Sequence, residues 1–378
     1  MSRLEFRLAS ALLGALNRLF SLLPLRPQEV VLASARQSRL EGNFAFLMAA
    51  LQRRRPDLRY VLLLEPYSYG LASKLGYLAR LVRGTYHLCR AGLVIVDNAY
   101  LPVHVAPHRR GTTVVQVWHA VGALKRFGAD AATPLAEPER TFLHRNYDAV
   151  IAAGEDSRAP YAAALRTPRE RVLALGAART DFFFDDAAMA AARQRVLAAY
   201  PRLSGRRVIL YAPTFRGRGR TKQPALGLDA VQLRRALPAD DILVLKGHPN
   251  LDPSATPTAG FDLVVDPSAD INELLTIADV LITDYSSSIF EWALLRRPLV
   301  LLTGDLAAYE RDPGLYLDYH TAMIGTQVAD TDGVIEAILG ERFDLAAYDQ
   351  FIERHLEACD GHAADRFVDH FLPLDAAG

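Results

Sequence analysis

Two histidines stand directly behind aliphatic runs: His119 in Val-Val-Gln-Val-Trp-His-Ala-Val-Gly-Ala-Leu-Lys-Arg-Phe-Gly (114–128) and His248 in Leu-Val-Leu-Lys-Gly-His-Pro-Asn (243–250). An imidazole titrates near neutrality, and beside Lys125 and Arg126 it suits proton abstraction next to a phosphate-rich ligand. His248 follows Lys246, and Pro249 holds the residue before it extended. A third run, Asp-Val-Leu-Ile-Thr-Asp-Tyr-Ser-Ser-Ser-Ile-Phe-Glu-Trp-Ala (279–293), reads as a strand that breaks at Asp284 before a helix opened by Ser286 and Ser287. Free N–H groups and the dipole at such a helix start hold phosphate, although serines there are also ordinary caps. Glu273, just upstream, is placed to accept hydrogen bonds from ribose hydroxyls. The fourth run, Tyr-Ala-Pro-Thr-Phe-Arg-Gly-Arg-Gly-Arg-Thr-Lys (211–222), is the densest basic cluster, and Arg216 is its candidate for bidentate phosphate contact. Arg218, Arg220 and Lys222 also fit a solvated loop. None of these runs spells a P-loop, a dinucleotide fingerprint, HExxH, a CxxC cluster or GxSxG, which leaves ATPase, dehydrogenase and zinc or serine hydrolase chemistry without support.

Residues of this kind need strands to bring them together. Short aliphatic runs alternate with helical stretches, the pattern of parallel sheets covered by helices. The first series is Val30–Ala33, Tyr60–Leu64, Leu93–Val96, Val114–Trp118, Ala149–Ala152 and Val172–Leu175; the second is Val208–Tyr211, Ile242–Leu245, Leu263–Val265, Val280–Thr283 and Leu299–Leu302. The fold class expected is therefore α/β with two Rossmann-like doubly wound domains facing across a cleft, covering 27–200 and 201–378 and joined by a helical segment, Asp185–Ser204. A last helix, about Ala346–Cys359, is a candidate to pack back on the N-terminal domain.

The chain has 378 residues, 51% hydrophobic and 23% charged, which excludes a disordered chain and a single small module. Its 43 Lys and Arg balance 43 Asp and Glu, so no overall field attracts nucleic acid and any anion site is local. Two cysteines, Cys89 and Cys359, cannot build a disulfide framework, which favours a cytoplasmic setting. No apolar run spans a bilayer. Residues 1–26 instead carry Leu4, Leu8, Leu12, Leu16, Leu19 and Leu23 near helical spacing, with Arg3, Arg7, Arg18 and Arg26 between them. An interfacial helix on anionic lipid and a helix packed on its own domain both fit this pattern.

The order Gln-x-Trp-His, Gly-Ala-Ala-Arg-Thr-Asp, Tyr-Ala-Pro-Thr-Phe-Arg, His-Pro and Leu-Ile-Thr-Asp-Tyr-Ser-Ser resembles the CDP-glycerol glycerophosphotransferases of teichoic acid and capsule synthesis, from about Val30 to Tyr316. The resemblance implies a GT-B fold and transfer of glycerol or ribitol phosphate from a CDP-alditol to a membrane-bound acceptor hydroxyl, with CMP released. It implies a functional role for His119 and His248, CDP-phosphate binding by Asp284, Ser286, Ser287 and Arg216, and a motif role for Arg179 and Asp181. It also implies a peripheral place on the inner face of the cell membrane. Ala120, Gly122-Ala123 and Ala178 depart from the family pattern on the acceptor side, where Lys125, Arg179 and Asp181 stand as acceptor or structural support.

The expected reaction is a single displacement at phosphorus, with His119 as general base and His248, Arg216 and the helix start at Ser287 stabilising the pyrophosphate. No protein-held metal is expected, and Mg²⁺ would come with the nucleotide. The alternatives are a GT-B glycosyltransferase or epimerase using a sugar nucleotide, and an attenuated relative that binds nucleotide or acceptor without turnover.

Overall fold

A computed structural model describes residues 3–65, 71–131, 143–217, 222–225, 227–248, 258–340 and 343–373. Arg218, Arg220, Pro249 and Asn250 lie outside the described residues. The chain divides into two compact units, 1–181 with 355–378, and 182–354.

The first unit is built on six parallel strands: β1 (Arg26–Ser34), β2 (Arg59–Leu64), β3 (Ala91–Val96), β4 (Thr113–Gln116), β5 (Ala149–Ala152) and β6 (Val172–Ala174), in the order β2-β1-β3-β4-β5-β6. Its strands are aliphatic on both faces because helices cover both. Val30, Leu32, Leu93, Ile95 and Val115 pack against Phe44, Leu47 and Leu51 of the helix Asn43–Arg54, and Phe367 and Val368 join the same core. The second unit adds β7 (Arg207–Tyr211), a two-stranded antiparallel pair β8 (Phe215–Arg216) and β9 (Gln223–Pro224), then β10 (Asp241–Lys246), β11 (Leu263–Val265), β12 (Val280–Thr283), β13 (Leu299–Leu302) and β14 (Thr326–Val328). Its parallel sheet runs β11-β10-β7-β12-β13-β14, the doubly wound order in which the chain reverses direction between β7 and β12.

Each expected strand is found on its aliphatic run, β8, β9 and β14 were not anticipated, and three further differences stand out. β4 stops at Gln116, before Trp118: the Gln116 side chain accepts from the Trp118 N–H at 2.8 Å, and Trp118 turns out of the strand with φ of +50°. The helix expected over Ala346–Cys359 ends at His355, and a further helix, Ala363–Phe371, packs on Asn43–Arg54 in the first unit. The expected boundary at 200/201 moves to 181/182, because the helix Asp186–Ala199 packs against Ile271–Leu275 of the second unit.

Candidate functional site

In the first unit the polar groups gather at the carboxyl ends of β1, β3, β4 and β6. His119 is three residues past Gln116, the last residue of β4, and four side chains fix the turn that carries it. Gln116 holds Trp118 as described, and its amide donates to the Tyr147 hydroxyl at 3.0 Å. Asn43 donates to the carbonyls of Val117 and Trp118 at 3.1 and 3.0 Å and accepts from the Arg179 N–H at 3.0 Å. Arg179 in turn donates to the His119 carbonyl at 3.2 Å, and the Tyr161 hydroxyl donates to the carbonyl of Ala120 at 2.9 Å. Gly42, at φ +53°, supplies the left-handed turn that brings Asn43 to this position. The Trp118 ring stacks on Phe127 at 4.6 Å and lies 4.3 Å from the His119 ring. The loop is therefore held against sliding or rotating, as a positioned base requires.

The His119 imidazole is half-buried and its Nδ1 has no hydrogen-bond partner. Burial, together with the Arg36 and Arg179 cations, lowers its pKa to about 3, against the opposite pull of the Asp97 carbonyl. It is a neutral ring at physiological pH, able to take a proton. Asn43, Arg36 and Asp97 were not singled out from the sequence. Their signal was the same strand-end position: Arg36 follows β1 and Asp97 follows β3.

Lys125 is half-buried on the loop beyond His119. Asp181 does not turn to this cluster. Its carboxylate accepts from the N–H groups of Ala363 and Ala364 at 2.9 and 2.8 Å and so caps the helix Ala363–Phe371, a structural role.

In the second unit Arg216 sits at the point where the sheet reverses. It donates to Asp284 at 2.8 Å and through two nitrogens to Asp305 at 2.6 and 3.1 Å, and its guanidinium lies about 5 Å from the Tyr285 and Tyr309 rings. Asp284 also accepts from the N–H and hydroxyl of Thr214 at 2.8 and 2.9 Å, and its carbonyl accepts from Tyr319. Most of the guanidinium is thus already spoken for within the unit, and a phosphate reaching it would share it with Asp305, the more exposed of the two carboxylates. Asp305 was missed in the sequence. The helix Ser288–Leu295 starts beside this cluster, and the hydroxyl closing its first turn belongs to Ser286, which accepts from the Ser288 N–H at 3.2 Å; the Ser287 side chain makes no capping bond.

His248 packs edge-on against Phe215 at 4.7 Å and lines a cavity of about 200 Å³ with Tyr211, Pro213, Leu245 and Phe261. Next to it the buried Lys246 ammonium donates to the carbonyls of Gly247 and Pro267. Lys222 lies 4.6 Å from the other partner of this ring contact, Phe215. Glu273 stands apart, on Ile271–Leu275, where its carboxylate is held by Arg195 at 2.5 Å.

Two doubly wound α/β units, each with charged groups at the carboxyl ends of its parallel strands, define a GT-B-like fold. The fold agrees with a solved structure of the wall teichoic acid polymerase TagF, a variant with CDPG, at a TM-score of 0.74 and 21% identity over 95% of this chain and 93% of that one. The family model for CDP-Glycerol:Poly(glycerophosphate) glycerophosphotransferase matches residues 15–372, and the chain belongs to that family. It is 32% identical to a teichoic acid ribitol-phosphate primase of Bacillus spizizenii over 98% of both chains. It is 35% identical to a teichoic acid poly(ribitol-phosphate) polymerase of the same organism over 93% of this chain, of which it spans 57% of the length.

Proposed function

We propose that the chain transfers an alditol phosphate from a CDP-alditol to a hydroxyl of a teichoic-acid-like or capsular acceptor. The observation that carries this reading is His119: a neutral imidazole on a braced turn, with Arg36 and Arg179 near enough to depress its pKa. As the acceptor hydroxyl attacks the β-phosphorus of the donor, His119 takes its proton. An acceptor oxygen–phosphorus bond forms, the bond from that phosphorus to the bridging oxygen breaks, and CMP leaves with the electron pair. Arg216, His248 and the first turn of Ser288–Leu295 hold the donor and stabilise charge on the pyrophosphate. The names of the two relatives favour ribitol phosphate as the group transferred.

Offering CDP-ribitol, CDP-glycerol and UDP-sugars to the purified protein, with and without Mg²⁺, and assaying the nucleotide released tests this. CMP from a CDP-alditol, with no UDP, is the expected result. UDP release would point to sugar transfer, and CDP-alditol binding without turnover on a broad acceptor panel to an attenuated relative.

The acceptor reading includes a peripheral place on the inner face of the cell membrane. Among the described residues no helix is long and apolar enough to cross a membrane. The helix Arg3–Phe20 has two apolar faces: Phe6 and Leu13 are buried against the unit, while Leu4, Leu8, Leu19 and the following Leu22 are exposed at 67, 62, 57 and 82%. The exposed side, with Arg7 and Arg18 beside it, suits the headgroup boundary of an anionic leaflet. Leu8→Glu with Leu12→Glu leaves Leu13 in place and should move the protein from vesicles containing phosphatidylglycerol into the supernatant, while activity on a soluble acceptor survives. A double variant that floats as the unaltered chain does would return this helix to a packing role alone.

A further inference from the structure

The connection of the first sheet runs outward from β1 to β2 and then back across to β3, so the crevice between the carboxyl ends of β1 and β3 is where a doubly wound sheet receives a ligand. Just past β1, the Ser34 hydroxyl accepts from the N–H groups of Arg36 and Gln37 at 3.0 and 3.1 Å, a tight turn that sets both side chains at this crevice. Just past β3 stands Asp97, 1% exposed, one of whose carboxylate oxygens, Oδ2, accepts from the Gln37 amide at 2.6 Å. Its other oxygen, Oδ1, is buried and has no partner. The Nδ1 of His119 is likewise buried without one, and the Asp97 carbonyl faces the His119 ring. A buried polar atom left unpaired is costly, and with one on the base and one beside it the crevice asks for a ligand that can hydrogen-bond to both.

We infer that Asp97 and Arg36 form the acceptor subsite, Asp97 Oδ1 accepting from a hydroxyl of the acceptor's terminal polyol and the Arg36 guanidinium pairing with the phosphate of the same unit. The inference rests on the transfer reading above and adds to it the two side chains that receive the acceptor's phosphorylated polyol. An ionised carboxylate only accepts, so it selects hydroxyls, whereas a guanidinium matches phosphate oxygens in pairs. Holding one hydroxyl of a polyol at Asp97 presents its neighbour to His119, which the Asp97 carbonyl already faces. Burial pushes the Asp97 carboxyl up, against hydrogen bonds from Ser34, Gln37 and its own backbone N–H and the nearby Arg36.

Asp97→Asn and Arg36→Gln, in the full chain, separate this role from a structural one. With a soluble acceptor ending in glycerol or ribitol phosphate, Asp97→Asn should raise the acceptor KM about tenfold or more with the donor KM within about twofold. Arg36→Gln, at an exposed position, should cut the preference for that acceptor over its dephosphorylated counterpart by about tenfold. An unchanged acceptor KM and preference, or equal losses for donor and acceptor with a lowered melting temperature, would overturn the subsite. CMP release by the unaltered chain is the control for the transfer reading itself. If that control fails, NMR titration of glycerol 3-phosphate into the unaltered chain and Asp97→Asn still decides: tighter binding by the unaltered chain supports the subsite, and equal or absent binding removes it.

Discussion

His119→Ala is expected to lower turnover by about 10²–10⁴ while leaving the donor Kd within about twofold, because a general base acts in the transition state and not on bound donor. The turn should survive the change, since its bonds come from Gln116, Asn43, Arg179 and Tyr161 to main-chain groups and not to the imidazole. Rapid-quench measurement of CMP release beside donor calorimetry separates the two quantities. Near-normal turnover would make His119 a packing residue. The pH profile carries a second signature. With its pKa lowered to about 3 by burial and the two arginines, His119 is deprotonated in the free enzyme down to well below pH 5, so kcat/KM should show no acid limb near the ordinary histidine value of 6.5. With acceptor bound, its phosphate charge offsets Arg36, and the limb in kcat should move upward. The same shift has a sign for stability. The unfolded chain takes the proton first, so the contribution of neutral His119 is complete above about pH 6.5 and is lost as pH falls toward 3. His104 and His144, held by burial to about 3 and 4, act in the same direction.

Arg216→Ala should have the second large effect, and on two readouts. Asp284 is only 4% exposed and loses its cation, while Thr214 alone remains to donate to its carboxylate. Removing one partner of a pair this buried costs about 3 kcal/mol, at the low end of the range because Arg216 itself is a quarter exposed. Chemical denaturation should show that loss, and donor affinity should fall with it. Arg216→Lys keeps a charge near Asp284 but cannot reproduce the two-nitrogen contact to Asp305, so it should recover stability in part and donor binding less. If the lysine variant binds donor as the unaltered chain does, Arg216 is a structural pin and the phosphates lie elsewhere.

The strands were legible because a strand buried on both faces must be a short continuous apolar run, and Val30–Ala33, Leu93–Val96 and Val280–Thr283 are such runs. β14 was not, since Thr326–Val328 is a half-buried edge with no aliphatic run to announce it. The helix Ala363–Phe371 also gave no start signal, because its cap is Asp181, far away in the chain. Asp181 itself read as part of a motif of the family the chain resembles, and no local pattern separates a carboxylate that binds a ligand from one that caps a distant helix.

The sequence by itself determined which chemical groups stand at strand ends: His119, Arg179, Arg216, His248 and Asp284 all follow aliphatic runs, and parallel packing sends such ends to one edge of a sheet. Only the tertiary structure decided what each group faces. Strand order set Asp97 and Arg36, far apart in the chain from His119, beside the same crevice, and β13 brought Asp305 to the far side of Arg216. A side chain's charge state and free hydrogen-bonding capacity depend on neighbours within a few ångströms, and in a parallel sheet those neighbours come from strands that the sequence separates by a helix or more.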